Sequence, residues 1–135
     1  MASKKTTENT TANYKVDIID CSKSDLTGKE RIQLKDMSDA IKLDKATRDS
    51  EILIDVDFYA IAQIHNENSD DKDYNTYIIV SKDGQRYTTG SSTFWSSFMN
   101  IYSEMVNTDE EWQLKVYQLP SRQREGKNFI TCSVV

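Results

Sequence analysis

Residues 51–65, EILIDVDFYAIAQIH, alternate apolar side chains with period two for longer than a small flat sheet can hold. Ile52, Ile54, Val56, Phe58, Ala60, Ala62 and Ile64 occupy seven consecutive positions of one phase. Leu53, Asp55, Asp57, Tyr59, Ile61, Gln63 and His65 occupy the other. At about 3.3 Å per residue a strand of this length runs roughly 45 Å. It must therefore curl, so that one half pairs with one neighbour and the other half with another. The small side chains of Ala60 and Ala62 ease that curl.

Shorter signals flank it. Tyr14, Val16 and Ile18 alternate with Lys15 and Asp17, which predicts a strand, and residues 21–29 (CSKSDLTGK) read as a loop. The stretch Arg31–Thr47 is ambiguous. Ile32 and Leu34, then Ile41 and Leu43, suggest two short strands, with a helix over Ser38–Ala46 as the competing reading. After the acidic loop NENSDDKD (66–73), strands over Tyr74–Ser81 and Gln85–Thr89 flank Lys82-Asp83-Gly84, a hairpin turn. Ser91 or Ser92 caps a helix ending near Asn107, with Phe94, Trp95, Phe98, Ile101, Tyr102 and Met105 at spacings of three and four. Trp112, Leu114 and Val116 predict a strand stopped by Pro120, and Phe129–Val135 a last one.

From residue 51 the order is long strand, strand, strand, helix, strand, strand. A five-stranded Greek-key barrel of the OB type has this order, with its helix between the third and fourth strands. An open α+β sheet with one helix, or an SH3-like barrel with an insertion, uses the same elements. The expected fold is mainly β: a five-stranded OB-like barrel in a single domain over 14–135. Residues 51–135 form the barrel core. Residues 14–50 form an N-terminal extension that packs on the barrel or adds strands to its edge. Residues 1–13 are polar and read as a flexible arm.

A length of 135 residues fits one domain with a real core. No apolar run approaches the roughly 20 residues of a membrane span, and MASKKTTENTTAN lacks the apolar stretch of a secretory signal. Two cysteines, Cys21 and Cys132, make neither a disulfide framework nor a Cys-rich zinc site. The expectation is a cytoplasmic protein with reduced thiols and no membrane partner. The net charge of −5 is segregated: residues 51–111 hold 3 basic and 12 acidic side chains, residues 112–135 hold 4 basic and 1 acidic. Such a chain does not coat nucleic acid with its whole surface, but it has room for one basic face.

Catalytic chemistry finds little support. His65 lies at the end of the long strand with no nucleophile nominated beside it, and reads as a solvated or rim residue. Asp55 and Asp57 share a strand face and could hold a metal, yet solvent-facing alternation predicts the same pair. The 66–73 loop lacks the spacing of an EF-hand. Thr88-Thr89-Gly90-Ser91-Ser92 outlines a phosphate cradle but has no lysine after the glycine, so helix capping is its simpler role. Trp95 and Phe98 read as core. No cofactor, metal or enzymatic activity is expected.

The C-terminal strands carry the stronger pattern. With Trp112, Leu114 and Val116 facing the core, Lys115 and Tyr117 face outward together. With Ile130, Cys132 and Val134 inward, Phe129 faces out. The connecting loop adds Arg122, Arg124 and Lys127 against Glu125. Arg86 and Tyr87, with Tyr59 or Tyr77, would extend this surface. Lys and Arg neutralise phosphates, and aromatic faces stack bases at roughly 1–3 kcal/mol each. Together they suit single strands, whose bases are free to stack. The acidic 66–73 loop, by contrast, disfavours a grip from that side.

YIIVSKDGQRYTTGSSTFWSSFMNIYSEM (77–105), WQLKVYQLPSRQREGKNFITCSVV (112–135) and the His65-Asn66-Glu67 triplet resemble a family of small proteins from phages and mobile elements of Gram-positive bacteria. That family is commonly described as single-stranded DNA-binding. The resemblance covers about residues 30–135. It implies an OB-like fold, sequence-tolerant binding of single-stranded DNA, or of RNA, and a role in replication, recombination or conjugative transfer. Cellular single-strand-binding proteins end in a flexible acidic tail, whereas FITCSVV is apolar, so recruitment through such a tail is not expected. A homo-oligomer or cooperative assembly through the N-terminal arm is the expected substitute. A second reading is an acidic accessory protein that binds a host defence or replication factor, its central segment mimicking nucleic acid. A third is a small nucleotide-binding or metal-dependent enzyme using Asp55, Asp57 and His65.

Overall fold

The computed structural model of the chain describes residues 14–135, and the arm read in residues 1–13 lies outside the described residues. The elements are β1 (Tyr14–Cys21), α1 (Gly28–Lys35), β2 (Ile41–Lys42), α2 (Leu43–Ala46), β3 (Ile52–Ile54), β4 (Val56–Asn66), β5 (Asp73–Ser81), β6 (Arg86–Thr89), α3 (Ser92–Met105), β7 (Leu114–Pro120) and β8 (Asn128–Val134). Eight strands make the chain mainly β. They form a five-stranded sheet in the order β1-β4-β5-β6-β2 and a three-stranded sheet in the order β3-β7-β8.

The long alternating segment joins the two sheets. It breaks at Asp55, whose carbonyl accepts a hydrogen bond from the Lys82 N–H at 2.8 Å. Before the break, Ile52 and Ile54 pair with Val116 and Leu114 in the small sheet. Beyond it, β4 runs antiparallel to both β5 and β1. The expected curl is thus a break at Asp55 followed by a register irregularity between Val56 and Phe58, which leaves the two halves in different sheets.

Each side of the large sheet has its own core. Phe58, Ala60, Ala62, Ile78 and Val80 face Leu34 of α1, with Val16, Ile18 and Cys21 packed alongside. On the opposite side, Ile79 joins Phe94, Trp95 and Phe98 of α3, Leu114 and Val116 of β7, and Ile130 and Cys132 of β8. Ser91 caps α3, its hydroxyl accepting from the Phe94 N–H at 3.1 Å. Gly84, at φ 88°, occupies the left-handed conformation that the β5–β6 turn requires.

Of the two short strands expected within residues 31–47, the second is present in part as β2 (Ile41–Lys42) and the first is replaced by a helix. Ile32 and Leu34 belong to α1, which starts with a reciprocal capping box: the Glu30 N–H donates to the Thr27 hydroxyl and the Thr27 N–H to the Glu30 carboxylate. The helix explains their spacing better than a strand, because Leu34 is buried while Ile32 points to solvent. The T-x-x-E signature was present in Thr27-Gly28-Lys29-Glu30. The competing helix over Ser38–Ala46 is reduced to α2, preceded by β2.

Among the described residues the two sheets do not close into a hydrogen-bonded barrel. The outer edge of β6 pairs in parallel with β2, Ile41 against Tyr87 and Lys42 against Thr88. β8 pairs with β7 alone. Leu43 enters the core beside α3. The Gln118 side-chain amide donates to the Asp44 carbonyl at 2.8 Å and to the Thr47 hydroxyl at 3.0 Å. The segment from β2 through α2 therefore spans the opening between β6 and the small sheet.

Candidate nucleic-acid interface

The β7–β8 hairpin carries six of the residues nominated from sequence. Its pairing sets Lys115 opposite Ser133, Tyr117 opposite Thr131 and Leu119 opposite Phe129. These side chains share the outer face, because Leu114, Val116, Ile130 and Cys132 of the other phase are buried. The Lys115 ammonium lies 5.3 Å from the centre of the Tyr117 ring and 4.0 Å from Glu51. The Tyr117 and Ser133 hydroxyls are 2.8 Å apart. Phe129 is 43% exposed and Leu119 42%, large values for apolar side chains side by side.

The connecting loop is built rather than loose. The Ser121 N–H donates to the Lys127 carbonyl at 2.8 Å, and the Ser121 hydroxyl accepts from the Gln123 and Arg124 amides. Gly126, at φ 77°, makes the return. Arg122, Arg124 and Lys127 are exposed on this loop, and none of them is in an ion pair among the described residues. Three cations against one carboxylate, Glu125, on a hydrogen-bonded turn make a local positive field in a chain of net charge −5.

A groove of about 820 Å³ lies at the loop end of the hairpin, with Leu119, Arg122 and Phe129 on one side and Ser91 and Thr93 on the other. Ser91 also lines a neighbouring cleft of about 490 Å³ together with Lys42, Lys45, Thr88, Thr89 and Asp44. The two concavities thus meet at the start of α3. Asp44 is partly occupied, accepting from the Thr89 hydroxyl at 2.8 Å. Lys42 and Lys45 were not nominated from sequence. They reach this position only because β2 pairs with β6, a contact between segments far apart in the chain.

Arg86 and Tyr87 are not brought to the hairpin. Arg86 projects from the opposite side of the large sheet, where it donates to the Gln33 carbonyl at 2.7 Å and ion-pairs with Asp39. Tyr87 is half-buried against the core around α3, and burial pushes its phenol up from the ordinary value. Tyr59 and Tyr77 are likewise occupied. Tyr59 meets Trp95 edge-on at 5.5 Å, and its phenol is raised by burial.

His65 has both ring nitrogens engaged, Nδ1 with Asp73 at 2.8 Å and Nε2 with Glu67 at 2.7 Å. The Asp73 hydrogen bond, with the charges of Asp73 and Glu67, holds its pKa above the ordinary value. The imidazole therefore ties the end of β4 to both flanks of the acidic loop, and neither nitrogen is left to activate a nucleophile. No group of three metal-ligating side chains occurs among the described residues, and no described helix is long and apolar enough to cross a membrane.

Comparison with protein-family models, with curated proteins and with solved structures finds no match to this chain.

Proposed function

We propose that this protein binds single-stranded DNA with little sequence preference, along the outer face and tip of the β7–β8 hairpin. The observation that carries this reading is the gathering of Lys115, Tyr117 and Phe129 on one exposed sheet face next to Arg122, Arg124 and Lys127. Phosphate neutralisation and base stacking need these two chemistries within reach of each other. The groove and cleft that meet at Ser91 extend the surface toward Lys42 and Lys45, giving a backbone more than one cation to follow. Arg86 is left out, because its guanidinium is already satisfied inside the fold.

The reading includes an OB-like architecture. It is supported by the order β6-β5-β4, the bend into β3, then β7 and β8, while the two sheets stay open and β2 sits on the edge of β6. The role that the family resemblance implies, in replication, recombination or transfer of a mobile element's DNA, belongs to the same proposal.

The test is fluorescence anisotropy of a labelled oligo-dT titrated with the full chain and with Arg122→Glu/Arg124→Glu, over a range of salt. For single strands the slope of log affinity against log salt is about −0.7 per phosphate contact, so losing two contacts flattens it by roughly 1.4. Binding that collapses in the variant while the circular dichroism spectrum is unchanged supports the reading. A folded wild type that fails to bind oligo-dT or oligo-U at low salt overturns it, and directs attention to a protein partner of the acidic segment.

A further inference from the structure

The four sheet edges are not protected alike. An unpaired strand presents a row of N–H and C=O groups to any other strand, and proteins blunt such edges with charge, proline, bulges or brevity. β1 carries Lys15, Asp17 and Asp20, and a register irregularity between Ile18 and Asp20. β2 has two residues and β3 three. β8, Asn-Phe-Ile-Thr-Cys-Ser-Val, has seven residues in uninterrupted register with β7, and contains no charge, proline or glycine.

The direction of its free groups follows from the ladder. Gln113 and Val135 exchange both backbone hydrogen bonds at 3.0 Å, and the Ser121 N–H donates to the Lys127 carbonyl at 2.8 Å in the same register. In an antiparallel pair such doubly bonded positions alternate. Phe129, Thr131, Ser133 and Val135 therefore bond to β7, while Ile130, Cys132 and Val134 turn their N–H and C=O groups to the side on which β8 has no strand partner, with α3 packed against the strand.

We propose that this edge pairs with β8 of a second copy of the chain, antiparallel about a two-fold axis at Cys132. In that register Ile130 meets the partner's Val134, and Thr131 meets the partner's Ser133. Phe129, 43% exposed, lies beside the partner's Val135, a position 58% exposed. Two exposed apolar side chains thus lie edge to edge twice, at the two ends of the shared ladder, with the outer face of Phe129 left open. In a chain of net charge −5, a neutral strand opposes its own copy without like-charge repulsion, and the cationic loops fall at opposite ends of the ladder. The result is one six-stranded sheet in which both outer faces point the same way. The pairing stands whether or not the hairpin binds nucleic acid.

The test combines sedimentation velocity with hydrogen exchange on the full chain, and needs no nucleic acid. A species of twice the monomer mass is expected, with the amides of Ile130, Cys132 and Val134 protected and losing protection on dilution. Val134→Pro removes an edge-facing donor without touching the β7 ladder, and is expected to give a folded monomer at concentrations where wild type is dimeric. A wild type that stays monomeric to its solubility limit overturns the proposal. So does a dimer in which these three amides exchange freely, or one that is abolished by deleting residues 1–13 and survives Val134→Pro. Protection that is independent of concentration also overturns it, because the edge would then be covered from within one chain.

Discussion

The ring of Tyr77 stacks on the indole of Trp95, with centroids 4.9 Å apart and planes inclined by 19°. Trp95 also meets Tyr59 edge-on and Phe98 at 4.8 Å. Four aromatic rings from β4, β5 and α3 therefore form one block between the large sheet and the helix. These aromatics are spent on joining α3 to the sheet, which leaves the outer rings of the hairpin as the ones open to a ligand.

Trp95→Ala would remove the centre of this block from a buried position. Truncation of a buried tryptophan costs about 3–5 kcal/mol, so a drop of that size in unfolding free energy is expected from chemical denaturation. A loss below the range of a single exposed contact would show that the block contributes little to the fold.

Arg86 and Arg122 separate a structural from a ligand-binding cation. Arg86→Ala breaks the link from β6 to Gln33 and Asp39, and hydrogen bonds to charged groups contribute about 1.5–3 kcal/mol. Lower thermal stability with an unchanged salt dependence of oligo-dT binding is expected. Arg122→Ala should do the reverse, flattening the salt dependence and leaving the melting temperature in place. Exchanged outcomes would move the interface to the other side of the large sheet.

His65 gives the fold a pH dependence. Its pKa is raised in the folded state by Asp73 and Glu67, so the folded chain holds the proton more tightly than the unfolded chain does. The stabilisation is fully present below the ordinary histidine value of about 6.5 and is lost as pH rises through the raised folded value. The imidazole should titrate above a free histidine by NMR. Wild type should be more stable than His65→Gln in acid, with the difference vanishing in base. A pH-independent difference would remove charge from the account.

Cys132 faces the core, and burial pushes its thiol up to about 11. The thiolate is the reactive form, so alkylation of Cys132, mapped apart from the half-buried Cys21, should be negligible near neutral pH in the folded protein and rapid in denaturant. Mass spectrometry of iodoacetamide-treated protein reads this directly. Labelling of the native protein at a rate matching a free thiol would mean that β8 opens from β7 readily.

The hairpin residues were legible because their arrangement is local. Once Leu114 and Val116 are inside, alternation puts Lys115 and Tyr117 outside, and the short loop fixes where Arg122, Arg124 and Lys127 emerge. Arg86 obeyed the same alternation and was misread, because its partner Asp39 is far away in sequence and no local pattern announces the pair. Lys42 and Lys45 were missed for the matching reason: a two-residue parallel bridge to β6 carries too little periodicity to be seen.

By itself, the sequence determined the features whose causes lie within a few residues. These are the period-two strands, the β5–β6 turn at Gly84, the Ser91 cap with the apolar stripe of α3, and the capping box at Thr27 and Glu30, legible though unread. Tertiary structure decided where the long strand bends: Ile54 and Val56 pack in the core around α3 while Phe58, Ala60 and Ala62 of the same phase pack against α1, and only neighbouring elements set where that switch falls. It also decided that β2 takes the edge of β6, leaving β8 paired on one side. Strand partners are selected by burial and hydrogen bonding summed over distant segments, and that sum is not contained in any single stretch of the chain.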